Sequence, residues 1–389
     1  MLAYLDYAAT SPLRPEALAA MLPFLGERFG NPAGSHSIAR DARRALEDAR
    51  DSIAFHLGCT PGELVFTGGG TESANLAVRG VCSAMNRYPV CSAIEHHAVL
   101  RPTHSIGGFS VPVGVDGIVD MGALAAALGP EVGIVSIMLV NNEVGVLQPL
   151  DDVAALMSER APEAVLHTDA VQAVSWLDIK TAAALANLVS LSAHKFGGPK
   201  GVGALVVRSG TPLSPILTGG SQERDRRPGT QDVASVVGMA AALDAAVSTR
   251  EDDAFRVAML RDRLMDGLVA SVPDTLETGV SPGIASSHRR SHMVPGICHL
   301  RFPGVDQEEL LVLLDQQGVC ASAGAACASG AVEPSHVLLA MGLDGDDARS
   351  AVRFSLGHDT TVAEVDHALA VVPEAVARLR GSQKMPPAK

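Results

Sequence analysis

The sequence predicts an α/β protein, and three observations lead there. Short apolar runs alternate with helix-period segments between residues 63 and 207, the signature of successive βαβ units in a mostly parallel sheet covered on both faces by helices. The chain has 389 residues, too many for one simple core. After about residue 250 the texture changes to long helices, a Gly/Ser/His-rich stretch and isolated strands, which predicts a smaller α+β lobe.

Taken in order, residues 38–58 (IARDARRALEDARDSIAFHLG) have helical periodicity and end on Gly58, a suitable C-cap. Strands are expected at 63–67 (ELVFT), 88–94 (YPVCSAI), 132–140 (VGIVSIMLV), 163–169 (EAVLHTD), 186–193 (ANLVSLSA) and 202–207 (VGALVV). Helices are expected at 72–85 and 150–160 between them. The second lobe reads as a helix over 251–270, a loop over 279–296, a strand over 296–302, a helix over 306–318, a closing helix over 361–380 and a frayed tail over 381–389. The expected division is a large domain over 13–255 and a small one built from 1–12 and 256–389, carrying a small-residue loop at about 320–332.

Composition narrows the function. Hydrophobic residues make up 47% and aromatics only 3%, so the core must be built from Ala, Val, Leu and Ile. The net charge of −13 argues against nucleic acid or an anionic membrane as a direct partner. The opening MLAYLDYAATSP has no basic start or long apolar run, and the uninterrupted apolar stretches are strand-length. A cytoplasmic location is expected. Six scattered cysteines form no CxxC and no paired zinc pattern, so no metal site is expected.

Polar residues recur where predicted strands end: Thr71, His96, Asn142, Asp169 and Lys195. In open α/β sheets, ligands bind beyond the carboxyl ends of strands. FTGGGTESANLA, residues 66–77, runs a strand through three glycines into a helix. It suits a phosphate at a helix N-terminus, or equally a glycine turn with Thr71 as the cap. Lys195, in SAHKFGGPKG, could form an imine with a carbonyl, or could snorkel to solvent. His96 could be a core histidine, Asp169 an N-cap, and His167 and Gln172 polar surface. Taken together, a phosphate cradle, an imine-forming lysine, a buried aspartate and a flat histidine match the needs of pyridoxal phosphate. ASAGAACASG, residues 321–330, reads as a mobile loop with Cys327 at its tip, or as a packing patch around a buried thiol.

With these motifs in place, the chain resembles the NifS/IscS-type cysteine desulfurases of the class V aminotransferase group, which are fold-type I pyridoxal phosphate enzymes. The resemblance runs nearly end to end through YLDYAATSP, FGNPAGSH, FTGGGTESANLAVRG, EHHAVL, VNNEVGVLQ, HTDAVQA, SAHKFGGPKGVGAL, GGSQERDRRPGT, GAACASG and RFSLG. It implies a seven-stranded, mostly parallel sheet. It also implies that L-cysteine is converted to L-alanine, with its sulfur passed to Cys327 as a persulfide for a sulfur-acceptor protein (an iron–sulfur scaffold, or a tRNA or DNA thiolation protein).

By the same resemblance, Lys195 forms the Schiff base with pyridoxal 5'-phosphate and moves the Cα proton, while His96 stacks on the ring and assists acid–base steps. Asp169 pairs with the ring nitrogen, and Asn142 and Gln172 contact its oxygen side. Gly70, Thr71, Ser192 and His194 hold the phosphate, joined by Thr230 from the second subunit of a homodimer. Arg353 clamps the substrate carboxylate, with Asn142 beside it, and Cys327 is the nucleophile. Departures from the common pattern are Ala325 and Ala326 before the cysteine, His358 near Arg353, and a short C-terminal tail. The alternatives are a selenocysteine lyase or an aminotransferase, and an interaction subunit that has lost turnover. Cys327 argues against an aminotransferase, and the presence of Lys195, Asp169 and Cys327 argues against the inactive subunit.

Overall fold

The structure is a computed structural model that describes residues 1–280, 290–324 and 334–382. Its centre is a seven-stranded sheet. From edge to edge the strands are Leu64–Thr67, Gly203–Val207, Leu188–Ser192, Val165–Asp169, Val132–Ser136, Tyr88–Ser92 and Phe109–Val111. Only Gly203–Val207 runs antiparallel to its neighbours; the other pairings are parallel. The four strands from Val132–Ser136 to Gly203–Val207 along the chain are buried at every position, as expected of strands covered on both faces. The edge strand Phe109–Val111 has no counterpart among the strands expected from the sequence, because three residues carry too short a pattern to read.

Common strand direction sets the site. Thr67, Ser92, Ser136, Asp169 and Ser192 are the last residues of their strands, so the turns that follow all open on one edge of the sheet.

The helix expected at 251–270 is the second half of a single 39-residue helix, Val233–Ser271. Asp232 caps it by accepting from Ser235 N at 3.0 Å. The polar run STREDD at 248–253 reads as a boundary, but it holds no glycine or proline and the helix passes through it. Among the described residues this is the one helix long and apolar enough to cross a membrane, by length and composition. It exceeds the uninterrupted apolar runs because its apolar residues are spaced, and its apolar positions are spent on two cores. Val236, Met239, Leu243 and Ala246 pack with the large sheet, whereas Val257, Leu260, Leu264 and Leu268 pack with the C-terminal lobe. Truncating a side chain such as Leu264 to alanine would cost about 2–5 kcal/mol.

The second core gathers Ala3 and Leu5 with residues from 257 to 379. Ala3–Tyr4 pairs in parallel with Val319–Cys320, and an antiparallel sheet joins Ala351–Ser355, Ile297–Arg301 and Leu276–Glu277. Residues 281–289 of the loop expected at 279–296, and residues 383–389 of the tail at 381–389, lie outside the described residues.

Candidate active site

A cleft of about 400 Å³ opens at the carboxyl edge of the large sheet, within the size range of small-molecule sites. Gly70, Thr71, His96, Asn142, Asp169, Gln172, Ser192, His194, Lys195 and Arg353 all line it. Thr230 is exposed and does not line this cleft in its own chain. Cys327, Ala325 and Ala326 lie outside the described residues.

Lys195 ends a single 3-10 turn, Ala193–Lys195, that follows the strand Leu188–Ser192. Its Nζ donates to the carbonyls of Ala8 and Ala9 at 2.6 and 2.8 Å, so it points into the cleft. Gln172 Nε2 donates to the same Ala8 carbonyl at 2.8 Å, and this ties the N-terminal YLDYAAT segment to the site.

A candidate anion cradle is built from backbone. Gly69 has φ +143° and precedes the 16-residue helix Gly70–Met85, which has no side-chain cap. Thr71 is therefore not the cap that one reading of the sequence offered, and the first N–H groups of the helix remain available to an anion. A Cβ on Gly70 would fall 2.8 Å from Val171 Cγ2, so only glycine allows this approach. Ser192 and His194 face the same end of the cleft.

Asp169, the last residue of its strand, is 6% exposed. Its Oδ1 accepts from Val171 N at 2.9 Å, and burial raises its acid to about 6 despite the Lys195 charge. A carboxyl so placed calls for a cationic partner, and a protonated ring nitrogen supplies one. His96 accepts from Ala98 N at 3.1 Å and opens the helix His97–Ser105. Burial, with Lys195 nearby, lowers its acid to about 4, which leaves the ring neutral near pH 7. The donors and acceptors thus fit pyridoxal phosphate: an anion cradle, a reactive amine, a buried acid for the ring nitrogen and a neutral ring on the wall.

Arg353 lies in the strand Ala351–Ser355 and is 2% exposed. Its Nη2 donates to Asp6 Oδ1 at 2.9 Å and its Nη1 to the Asn142 carbonyl at 2.7 Å, while Nε finds no hydrogen-bond acceptor among the described residues. Asp6 and Asn142 together fix the guanidinium plane.

Two readings are corrected. His167 is not surface: it is fully buried, bonded to Ser136 Oγ at 2.7 Å and Ser190 Oγ at 2.8 Å, and it braces the sheet below the site. His358 is not placed to act on Arg353. It lies against Tyr7 and Asp359 and lines a separate small cavity that shares Lys195 with the cleft but does not include Arg353.

Several residues of the site were not singled out in the sequence. Glu95, directly before His96, is fully buried, and burial raises its acid to about 8. Glu143 lines the cleft, and burial raises its acid to about 7. His336 lies with its ring 4.5 Å from that of His97 and donates Nε2–H to the Glu95 carbonyl at 2.9 Å. Arg50 and Glu223 form a buried two-point ion pair that anchors the segment leading to Thr230. The available signal was an acid inside an apolar motif, as in AIEHH and VNNEVG.

Fold and site together define a pyridoxal-phosphate type of α/β enzyme with a mostly parallel seven-stranded sheet. Residues 3–368 match the family model "Aminotransferase class-V", and the chain belongs to that family. It is 42% identical over 393 residues to the IscS-like cysteine desulfurase of Mycobacterium tuberculosis, covering 97% of each chain. Among solved structures it superposes on a NifS-like protein with a TM-score of 0.88 at 33% identity, covering 97% of this chain and 100% of that one. It also superposes on SspA in complex with cysteine, with a TM-score of 0.78 at 30% identity, over 92% and 99% of the two chains.

Proposed function

We propose that the chain is a pyridoxal-phosphate-dependent cysteine desulfurase that converts L-cysteine to L-alanine and takes up the sulfur on Cys327 as a persulfide. The observation that carries this reading is the convergence of Lys195, Asp169, His96 and the Gly70 helix N-terminus on one cleft, with Arg353 in its wall. The cofactor, when bound, supplies the electron sink that makes the substrate Cα–H acidic. Gly70, Thr71, Ser192 and His194 would hold its phosphate, and Asn142 and Gln172 would contact its ring oxygen side.

The protein's own groups do the rest. Asp169 would keep a proton on the ring nitrogen, and His96 would cover the ring face. Arg353 receives the substrate carboxylate, oriented by Asp6 and the Asn142 carbonyl. Lys195 removes and returns the Cα proton at Nζ. The Cys327 thiolate attacks the substrate sulfur, so an S–S bond forms as the substrate Cβ–S bond breaks. The substrate thiol proton becomes the third methyl hydrogen of alanine, and the charge leaves on the terminal sulfur of the persulfide.

A homodimer in which Thr230 of a second copy completes the phosphate site belongs to the same reading, because Thr230 is exposed on a segment anchored by Arg50 and Glu223. So do a cytoplasmic location and delivery of sulfur to an acceptor protein, such as an iron–sulfur scaffold or a tRNA or DNA thiolation protein. The test is alanine production from L-cysteine with a thiol reductant, for the native protein and Lys195→Ala. Alanine from the native protein alone supports the reading, and equal output from both would sink it.

A further inference from the structure

Glu143 lines the cleft, and this chemistry leaves it without a role. It is 2% exposed, and its carboxylate lies between the two stretches of chain that bracket residues 325–333. On one side, Ser335 Oγ–H donates to Glu143 Oε2 at 2.5 Å. The same serine oxygen accepts from Leu338 N at 3.3 Å and caps the helix His336–Ala340. On the other side, Gly324 packs against that same carboxylate oxygen. Its φ is +83°, and a Cβ there would fall 2.9 Å from Oε2.

The acid is held rigidly. Asn141 Oδ1 accepts from the N–H groups of Glu143 and Val144 at 2.9 and 3.0 Å, while its Nδ2 donates to the Ile94 carbonyl at 3.0 Å. Gly324 is braced from its other side by Arg353, whose Nη1 lies 3.4 Å from the Gly324 carbonyl. Ser322 and Arg353 exchange backbone hydrogen bonds of 3.1 and 2.8 Å. One carboxylate on a fixed turn therefore meets both flanks, which come from different elements.

We propose that Glu143 is a positioning residue for sulfur transfer: by accepting the Ser335 hydroxyl and seating Gly324, it fixes the span between the two chain ends that bracket Cys327. This role rests on the reading of Cys327 as the sulfur acceptor. A fixed separation between Gly324 and Ser335 sets where the chain leaves and re-enters the cleft wall, and correct placement of a reacting group is worth large factors in rate.

The test is the single-turnover rate of persulfide formation on Cys327 in the cofactor-loaded enzyme, followed by mass spectrometry. Ser335→Ala and Glu143→Ala are each expected to slow it by about 10- to 100-fold. Cofactor absorbance and KM for L-cysteine should stay near native. Glu143→Gln, which keeps an acceptor oxygen for Ser335, should recover most of the rate. The double alanine variant should be no slower than the worse single one, because both remove the same link. Should Glu143→Ala fold poorly, Ser335→Ala carries the test alone. Native rates in the alanine variants, or a loss confined to KM or cofactor content, overturn the role. A native enzyme that forms no persulfide on Cys327 overturns the functional reading, and this role with it.

Discussion

Glu95 makes the stability of the protein depend on pH in an unusual direction. It is fully buried. Its Oε1 accepts from Ser92 Oγ at 2.9 Å and Met138 N at 2.6 Å, and its Oε2 has no hydrogen-bond partner among the described residues. Burial, reinforced by the Asp169 charge, raises its acid to about 8. In the unfolded chain the same carboxyl titrates near 4.3, so by pH 6.5 it has lost its proton while the folded form keeps it. The folded state thus binds more protons, and stability falls as pH rises until the folded group also ionises. Between pH 6.5 and 8 the interval is about 1.5 units, which at about 1.36 kcal/mol per unit amounts to about 2 kcal/mol. Glu95→Gln keeps the uncharged shape and removes the titration. Urea unfolding of the cofactor-free protein at both pH values should show the native protein losing about 2 kcal/mol relative to Glu95→Gln. Parallel pH slopes, or a native protein that gains on the variant as pH rises, would refute a neutral Glu95.

Arg50→Leu leaves the Glu223 carboxylate buried without its guanidinium, after bonds of 2.8 and 3.0 Å are lost, and should destabilise by about 3–5 kcal/mol in urea unfolding. A cost below about 1 kcal/mol would contradict a buried, desolvated pair. Arg353→Lys loses the two-pronged donor set, so KM for L-cysteine should rise at least about tenfold with a smaller change in kcat; an unchanged KM would remove Arg353 from the carboxylate site. His299 is fully buried with no hydrogen-bond partner for either ring nitrogen among the described residues, and burial lowers its acid to about 3. The unfolded histidine takes a proton below about 6.5, so this group contributes stability that is lost as pH falls through that window. His299→Leu should flatten the acid-side loss of melting temperature between pH 6.5 and 5, and an unchanged slope would show that His299 is protonated in the fold.

The large sheet was legible because apolar strands, glycines and helix-period runs follow one another in strict order, and because polar residues stand where those strands end. Lys195, Asp169 and His96 could be placed on one edge from that pattern alone. Their partners could not. Ala8 and Asp6 reach the cleft from the N-terminus through backbone and ion-pair contacts that no periodicity encodes. Glu95 and Glu143 look like ordinary surface acids in the sequence, and only the fold shows both of them buried. The long helix was divided because the charged turn STREDD imitates a loop, although tertiary packing at both ends carries the helix through it. His358 sits five residues after Arg353 in sequence, yet beyond the end of the strand Ala351–Ser355 it lines a different cavity from Arg353.

The most direct measurement is a burst experiment without reductant. The cofactor-loaded protein and Cys327→Ala are mixed with L-cysteine, and alanine is counted while the protein is weighed intact and after digestion. The native chain should release alanine in a burst close to one per site and gain the mass of one sulfur on the peptide carrying Cys327, and the variant should do neither. A full burst from Cys327→Ala, or sulfur on another residue, would contradict Cys327 as the acceptor and leave Lys195, Asp169 and His96 serving a different reaction.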